Sequence, residues 1–403
     1  MGYDISDHCS IDTRYGTMHD IDNLLAGLRQ GNMKLVMDLV RAWFKESRSS
    51  LDNDKRDWYI WRKPRYDVTG SRQPPNNWAS IFGGMHRNLA MDENPAVVQE
   101  VEKVMRFWLG KGVVGFRMNV INLISTVLGL PDAPVTVQGQ RCQPAYMHYA
   151  CGPWLNEYLR RLRTILDEYN AFAIGEMPWA KNEEQVLNAV QAERKELNMI
   201  FQFDIPSGQF DRQDWGLTAL KNIIDDLFLE NHDQARLVSR FASNEPQHRA
   251  YPAKMLATFV ALQSGTLFTY QGQELGFANV PKEWSSDTHA GFSTTTPWKR
   301  VNEDYPISNA QAQTTNSESI FSYWRGLLKL RKLKPHVFVY GNFESLGRSY
   351  PDVFCYRRAR GQTRAVVVLN FSEKHMEWII PEPLSAEDVQ GATIAQRCTK
   401  NWD

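Results

Sequence analysis

The sequence has no excess of charge of either sign, because 46 lysine and arginine residues balance 46 aspartate and glutamate residues. Nucleic acids and anionic membranes are recognised through basic patches, so neither is an expected partner. Disorder is also excluded, since hydrophobic residues make up 42% of the 403 residues and suffice for a sizeable core.

Cysteine is scarce, and long hydrophobic runs are missing. The cysteines are odd in number, widely spaced and without a CxxC pair: Cys9, Cys142, Cys151, Cys355 and Cys398. A disulfide framework, a metal site or a cofactor is therefore not expected, and a reducing, cytoplasmic location fits. No apolar run approaches the ~20 residues of a membrane span, and the first residues contain no signal-peptide core.

What the sequence does contain is an alternation of short apolar segments with amphipathic ones. Six apolar segments predict β-strands, at 35–39, 113–118, 172–175, 199–203, 227–229 and 267–270. Between them, apolar residues recur at helical spacing, most clearly at 21–28, 97–108 and 155–166. Strands that alternate with helices predict parallel β/α units.

Polar residues stand at or near the ends of the predicted strands. They are Asp38, Asn119, Glu176, Asp204 and the cluster at 230–233. One such residue would mean little, because loops begin at strand ends. Several in succession are typical of a β/α barrel, which gathers its active site at the carboxyl ends of its strands.

The chain is predicted to contain two domains. Residues 1–335 form the barrel, interrupted at 44–92 by a shortened loop insertion rich in Trp, Pro, Asn and Arg. In residues 336–403 the pattern changes, and apolar runs at 337–340, 353–356 and 365–370 predict short β-strands. We therefore expect a small antiparallel C-terminal β domain.

Four longer motifs follow one another along the chain. Residues 115–122 read GFRMNVIN, residues 173–178 AIGEMP, residues 228–234 FLENHDQ and residues 270–276 YQGQELG. In this order they resemble the nucleophile segment (GFRMDVIN), the acid/base segment, the third-carboxylate segment and the following strand of the α-glucosidase, maltase and oligo-1,6-glucosidase group of the α-amylase superfamily. The resemblance implies a (β/α)8 barrel of the TIM type and a glycoside hydrolase.

The resemblance also implies a role for each matching residue. Asn119 stands at the nucleophile position, Glu176 is the general acid/base, and Asp233 stabilises the transition state. The implied substrate-binding residues are Tyr3, Arg117, Val120 and His232. Retaining hydrolysis needs two carboxyl groups about 5–5.5 Å apart. We therefore expect a similar separation between Asn119 and Glu176, with Arg117 close to Asn119 or Asp233.

Several features of the family are missing. An amide at Asn119 carries no negative charge and is a poor nucleophile. The segment after Asp38 lacks the family's NHTSD-like histidine, and the stretch around Trp284 lacks its arginine-bearing segment. The first two barrel strands and the N-terminal metal loop are expected upstream of Met1, so about six of eight strands are recognisable. An incomplete barrel predicts marginal stability or association, and the oligomeric state stays open.

Two functions remain open, because a fold does not fix a function. The first is a retaining hydrolase of carbohydrate metabolism that acts on short α-1,4 or α-1,6 glucosides such as maltose or isomaltose. In the family, Val after the nucleophile goes with α-1,6 cleavage, so Val120 favours isomaltose. The alternative is a catalytically inactive, sugar-binding or regulatory relative. A nucleotide-dependent enzyme is excluded, since the chain has no GxxxxGK[ST] loop and no strand-linked GxGxxG loop.

Overall fold

The computed structural model describes residues 5–40, 49–79, 94–180, 182–201, 230–232, 235–242, 245–280, 302–306, 308–347, 350–372 and 374. The chain divides into two compact units, Met1–Ser207 and Gly208–Asp403. The described part of the first unit is built on a parallel β-sheet. That of the second consists of helices packed against an antiparallel β-sheet.

The strands of the first unit form one parallel sheet and one small hairpin. In chain order they are β1 (Val36–Leu39), β2 (Arg65–Tyr66), β3 (Arg72–Gln73), β4 (Gly115–Met118), β5 (Phe172–Glu176) and β6 (Met199–Phe201). The parallel sheet has the order β1-β4-β5-β6, and β2 pairs with β3 antiparallel. The strands predicted at 35–39, 113–118 and 172–175 are confirmed, as is the described part of the one at 199–203. The strand predicted at 227–229 and Asp204 lie outside the described residues.

The described helices of the first unit are α1 (Met18–Gln30), α2 (Pro95–Lys111), α3 (Tyr146–Tyr149), α4 (Leu155–Glu168) and α5 (Glu183–Val190). Three of them, α1, α2 and α5, begin at a residue whose side chain caps them. Thr17 and Asp20 form a capping box at the start of α1, and Asn94 caps α2 ahead of its first residue, Pro95. The helices predicted at 21–28, 97–108 and 155–166 are confirmed. The apolar faces of α2 and α4 pack against the sheet in one core, which includes Val101, Met105, Leu159, Phe116 and Ala173.

Two glycines allow close packing around the central strands. A Cβ on Gly115 would lie 2.3 Å from the carbonyl oxygen of Phe172, on the neighbouring strand. A Cβ on Gly175 would lie 2.4 Å from Leu197 Cδ1. Both contacts are shorter than carbon atoms tolerate. At Gly115 the neighbour is backbone, so this position requires glycine, whereas at Gly175 the end of the Leu197 side chain would have to shift. Because Arg117 and Glu176 follow these glycines closely in β4 and β5, the glycines help to set the spacing of the two side chains.

The described part of the loop insertion, residues 49–79, has little regular structure. It contains a 3-10 turn at Arg56–Trp58 and the exposed hairpin of β2 and β3. After the hairpin, the Asn77 Nδ2 donates to the carbonyl of Ala133 at 2.8 Å, and the Trp78 Nε1 donates to the carbonyl of Pro131 at 2.8 Å. These bonds fasten the end of the insertion to the long segment that follows β4.

The described elements of the second unit are five helices followed by three strands. They are α6 (Leu237–Phe241), α7 (Pro246–Ala261), α8 (Ala310–Thr314), α9 (Ile320–Leu333), α10 (Pro335–Phe338), β7 (Asn342–Leu346), β8 (Val353–Arg360) and β9 (Thr363–Asn370). The strands form an antiparallel sheet in the order β7-β8-β9. Residues of α7, α9 and α10 share one core with the sheet, including Phe259, Leu327, Phe338, Phe354 and Leu369.

The C-terminal strands are predicted only in part. The strands at 353–356 and 365–370 are confirmed as β8 and β9. The strand predicted at 337–340 is wrong, because Pro335 occupies the first position of α10 and this helix buries Val337 and Phe338. The strand predicted at 267–270 is also wrong, since this segment pairs with no other strand of the described residues. The predicted domain boundary between residues 335 and 336 stays a prediction. Helix α9 lies before this boundary and strand β8 after it, and both contribute residues to one core.

Candidate functional site

Arg117 lies at the centre of a polar cluster at the carboxyl ends of β1, β4 and β5. Its Nη2 lies 2.7 Å from Glu176 Oε2, its Nη1 donates to Asn119 Oδ1 at 3.0 Å, and its Nε lies 3.5 Å from Asp38 Oδ1. The side chains of Arg117 and Glu176 are buried, whereas that of Asp38 is 45% exposed. The Arg117 cluster is therefore shielded from water at Glu176 and open to water at Asp38.

The register of the sheet produces this cluster. Asp38 stands opposite Arg117 in the pairing of β1 with β4, and Arg117 stands opposite Ile174 in the pairing of β4 with β5. Successive side chains of a strand point to opposite faces, so Glu176, two residues after Ile174, lies on the same face as Arg117. Three neighbouring strands thus deliver three charged side chains to one place.

Two groups of the site converge on Oε2 of Glu176. Oε2 is close to Arg117 Nη2 and also accepts the backbone N–H of Val120 at 3.0 Å. A carboxyl oxygen has two lone pairs, and both are engaged on Oε2.

Val120 has a backbone conformation that L residues rarely adopt. Its φ is 39° and its ψ 46°, in the left-handed region, where a β-branched residue is an outlier. Such strain costs on the order of 1–3 kcal/mol and collects at functional sites. The bond from the Val120 N–H to Glu176 and the packing of Val120 against an apolar cluster offset it. The apolar cluster consists of Trp78, Leu123, Ala133, Ala145, Tyr149 and Ala150.

Two residues of the site were not assigned a role from the sequence. Asp38 was recognised only as a strand-end carboxylate, and it forms the open side of the Arg117 cluster. Asn122 belongs to the GFRMNVIN segment and is fully buried, where its Nδ2 donates to the carbonyl of Pro178 at 2.6 Å. The GFRMNVIN motif could have drawn attention to Asn122. Its hydrogen bond to the Pro178 carbonyl, however, is visible only in the structure.

In the second unit, Arg236 joins the FLENHDQ and YQGQELG segments. Its Nη1 donates to Glu230 Oε1 at 2.8 Å and to the carbonyl of Gln271 at 2.6 Å. Its guanidinium lies over the Tyr270 ring, 4.3 Å from the centroid. Burial raises the pKa of Glu230, although hydrogen bonds from the Leu237 N–H and from Arg236 oppose this shift.

The structure brings four of the predicted site residues together in the first unit: Arg117, Asn119, Val120 and Glu176. The expected contact between Arg117 and Asn119 is present. His232 is exposed and belongs to the second unit, while Tyr3 and Asp233 lie outside the described residues. The catalytic and binding roles of all seven residues stay predictions.

The chemistry open to the Arg117 cluster follows from its charges. It holds the buried carboxyl group of Glu176, the guanidinium of Arg117, the part-exposed carboxylate of Asp38 and the amide of Asn119. The Asn119 Oδ1 accepts a hydrogen bond but brings no negative charge. Among the described residues, no group of three or more His, Cys, Asp or Glu side chains is placed to hold a metal ion. Over the same residues, no helix is both long and apolar enough to span a membrane.

The parallel sheet and the Arg117 cluster define a β/α protein with a buried polar cluster at the carboxyl ends of its strands. The chain belongs to the α-amylase family, since residues 1–341 match the family described as the α-amylase catalytic domain.

Relatives of known activity match nearly the whole chain. An α-glucosidase of Schizosaccharomyces pombe is 35% identical over 484 residues, which cover 96% of this chain and 84% of the relative. An oligo-1,6-glucosidase of Bacillus cereus is 34% identical, again over 96% of this chain and 84% of the relative. The first alignment is longer than the 403 residues of this chain, so the relative contains segments that this chain lacks.

Solved structures of the family share the fold. The trehalose-6-phosphate hydrolase of Bacillus licheniformis superposes with a TM-score of 0.83 at 28% identity, covering 96% of this chain and 83% of that structure. The trehalulose synthase MutB superposes with a TM-score of 0.81 at 30% identity, covering 95% of this chain and 83% of that structure. The predicted TIM-barrel class with a C-terminal antiparallel sheet is confirmed. The described strands do not close the barrel.

Proposed function

We propose that this chain binds short α-glucosides such as maltose and isomaltose at the Arg117 cluster. It does so as an α-glucosidase-type retaining hydrolase in which Asn119 limits turnover. The observation that carries the proposal is the buried Glu176, held against Arg117 beside position 119. Relatives named α-glucosidase and oligo-1,6-glucosidase support the substrate class. The expected location is the cytoplasm.

In the proposed mechanism the residues act on the two sides of the glycosidic bond. Glu176 donates a proton to the leaving oxygen, while Arg117 holds its Oε2. A carboxylate at position 119 would attack the anomeric carbon and form a covalent glycosyl intermediate. The amide of Asn119 does not supply this charge, so the first covalent step is slow while binding persists. Asp233, His232 and Tyr3 are proposed to hold the sugar hydroxyls.

Val120 supports isomaltose over maltose within this proposal. In the resembling family, Val at the position after the nucleophile goes with α-1,6 cleavage. Val120 follows Asn119 directly, and its N–H is bonded to Glu176. Its backbone is therefore held beside Asn119 and Glu176, the two residues proposed to act on the bond to be cleaved.

The second candidate function is a sugar-binding or regulatory protein without turnover. One specific observation favours it: Asn119 replaces the nucleophile, while Arg117 and Glu176 keep a defined geometry. A site with this geometry but without a nucleophile can bind a sugar without cleaving it.

Calorimetric titration of the full chain tests the proposed function. We expect saturable binding of isomaltose and maltose, and none of cellobiose, which has the β-linkage. His232→Ala should weaken binding, while His336→Ala, an exposed histidine of α10, should leave it unchanged. Absence of saturable binding for both α-glucosides, or equal binding of cellobiose, contradicts the proposal.

A further inference from the structure

The peptide unit that joins Asn119 to Val120 lies among groups that can promote deamidation of an asparagine. In this reaction the backbone nitrogen after the asparagine attacks the side-chain carbonyl carbon and closes a succinimide ring. The two atoms belong to neighbouring residues, so rotation about the bonds of the asparagine brings them together. The step is promoted by a base that takes the backbone proton and by a donor to the carbonyl oxygen.

Glu176 is bonded to the backbone nitrogen that attacks in such a reaction. The Val120 N–H donates to Glu176 Oε2 at 3.0 Å, and the Glu176 side chain is buried. The preceding N–H, that of Asn119, still donates to the Leu39 carbonyl at the end of β1, at 3.3 Å. At Val120 the chain turns, with a φ of 39°, and the N–H is bonded to a carboxyl group instead. A base is thus in contact with the proton that must be removed.

Arg117 is bonded to the carbonyl oxygen that gains negative charge during the attack. Its Nη1 donates to Asn119 Oδ1 at 3.0 Å, and the amide must present its oxygen here because a guanidinium has no acceptor. A cationic donor at this oxygen stabilises the developing charge, as an oxyanion hole does. Nη2 of the same guanidinium lies 2.7 Å from Glu176 Oε2. One guanidinium therefore holds both the carbonyl group and the base.

We propose that Asn119 is a self-deamidation site, at which Arg117 and Glu176 convert the amide into the side chain of an aspartate. The Val120 nitrogen bonds to Asn119 Cγ as its proton passes to Glu176 Oε2. The bond from Cγ to Nδ2 then breaks, and Nδ2 leaves with this proton as ammonia. Glu176 returns to its ionised form, and the product of this first step is the succinimide.

Water opens the succinimide in the second step. It adds to Cγ, the bond from Cγ to the Val120 nitrogen breaks, and a proton returns to that nitrogen, which leaves an ordinary peptide bond and a new carboxyl group. Attack on the backbone carbonyl carbon would give isoaspartate instead. Because Arg117 polarises the side-chain carbonyl, attack at Cγ is favoured and aspartate is the expected main product. Water reaches the Arg117 cluster at Asp38, which is 45% exposed.

The product has a carboxylate at the nucleophile position of the resembling family. The folded chain thereby gains the charge that its sequence lacks at this position, and its turnover becomes that of the Asn119→Asp variant. Both steps proceed without a sugar. The inference therefore goes beyond the proposed function and does not rest on it.

The first test follows the amide in the folded full chain, kept at neutral pH in water enriched in heavy oxygen. Deamidation adds one heavy oxygen at position 119, which mass spectrometry detects in the tryptic fragment 118–141. Asn122 lies in the same fragment and is the control. Among the described residues its Oδ1 accepts no hydrogen bond, and the Leu123 N–H donates to the Val120 carbonyl rather than to a carboxyl group.

We expect heavy oxygen to appear at Asn119 about 10²-fold faster than at Asn122 in the folded chain. It should also appear about 10²-fold faster than at Asn119 in a free peptide of residues 115–126, which lacks Glu176. Equal rates in either comparison overturn the proposal. An excess of isoaspartate over aspartate in the folded chain overturns the role given to Arg117.

The second test removes the base. Glu176→Gln should slow the incorporation at Asn119 about 10²-fold, whereas Glu157→Gln, an exposed residue of α4, should leave it unchanged. An unchanged rate in a Glu176→Gln chain with the original circular dichroism overturns the proposal, and the peptide comparison decides if this variant does not fold. Conversion at position 119 in a chain that neither binds nor hydrolyses α-glucosides refutes the proposed function and leaves the deamidation site standing.

Discussion

Arg117 shares its guanidinium among three side chains, of which Glu176 is the most deeply buried. Breaking a buried ion pair by removing one partner leaves an uncompensated charge, which costs about 3–5 kcal/mol. We expect Arg117→Met to lower the free energy of unfolding by about this amount in urea titrations. Methionine replaces the aliphatic stem of arginine and removes its guanidinium, so the lost charge should dominate.

The control for this prediction also removes the Glu176 carboxylate, which Arg117→Met leaves buried without its cation. In the double variant Arg117→Met with Glu176→Gln, no buried carboxylate is left, so a substantial part of the stability should return. If the single change costs less than about 1 kcal/mol, or if Glu176→Gln adds to the loss, Arg117 does not compensate Glu176 as described.

The raised pKa of Glu230 predicts a pH dependence of stability. Because the folded state holds this proton more tightly than the unfolded state, the contribution of Glu230 is most favourable below the ordinary glutamate pKa of about 4.3. It is lost as the pH rises through the higher folded pKa. The melting temperature of the original chain relative to Glu230→Gln should therefore fall from about pH 4 to neutral pH. A relative melting temperature that rises over this range would show that the ion pair with Arg236 outweighs burial.

At the scale of single residues, the sequence alone indicates which residues belong to the site but not which of them are bonded to one another. The motifs mark Arg117, Asn119 and Glu176, and the contact of Arg117 with Asn119 was expected. The bond from Val120 to Glu176 and the contact of Asn122 with Pro178 join residues 56 positions apart. Such contacts depend on how two turns pack, which no local pattern encodes.

At the scale of elements, the close approach of β4 and β5 depends on Gly115. A methyl group there would meet the Phe172 carbonyl, and overpacking of this kind costs about 1–3 kcal/mol. We therefore expect Gly115→Ala to destabilise the chain in urea unfolding.

Gly110 provides the matched control. It is an exposed residue inside α2, with no atom within 4 Å of an added Cβ. Gly110→Ala should stabilise the chain by about 0.5–1 kcal/mol, since alanine loses less backbone entropy in a helix. Equal effects of the two substitutions would refute the role assigned to Gly115.

The elements that sequence predicts correctly are helices with an apolar face of helical period and strands of the parallel sheet that are short apolar runs. Helices α1 and α2 have capping residues and an apolar face, and β1, β4 and β5 are short apolar runs. The errors in the C-terminal region concern an apolar run that forms a helix and a strand that is rich in polar residues. Residues 337–340 contain two valines, yet Pro335 begins a helix there, and β7 is half polar and was missed. Burial against α9 and β8, rather than local propensity, decides the structure of this region.

For the whole molecule, the open parallel sheet of the described strands predicts association or marginal stability. Among the described residues, β1 and β6 are the two end strands of the parallel sheet. Strand edges that are not covered pair with other chains or lower stability. We expect the sedimentation coefficient to rise with concentration. A monomer that melts cooperatively, with slow hydrogen exchange along β1 and β6, contradicts this expectation.

Hydrolysis of an aryl α-glucoside tests the central claim, that this is an α-glucoside site in which Asn119 blocks the covalent step. We predict negligible turnover by the original chain and a slight, measurable gain from Asn119→Asp. The restored carboxylate supplies the nucleophile, but segments present in the relatives are absent here and the sugar is held loosely. Glu176→Gln in the same variant controls for contaminating activity. Turnover of ~1–10³ s⁻¹ by the original chain, abolished by Glu176→Gln, would contradict the account.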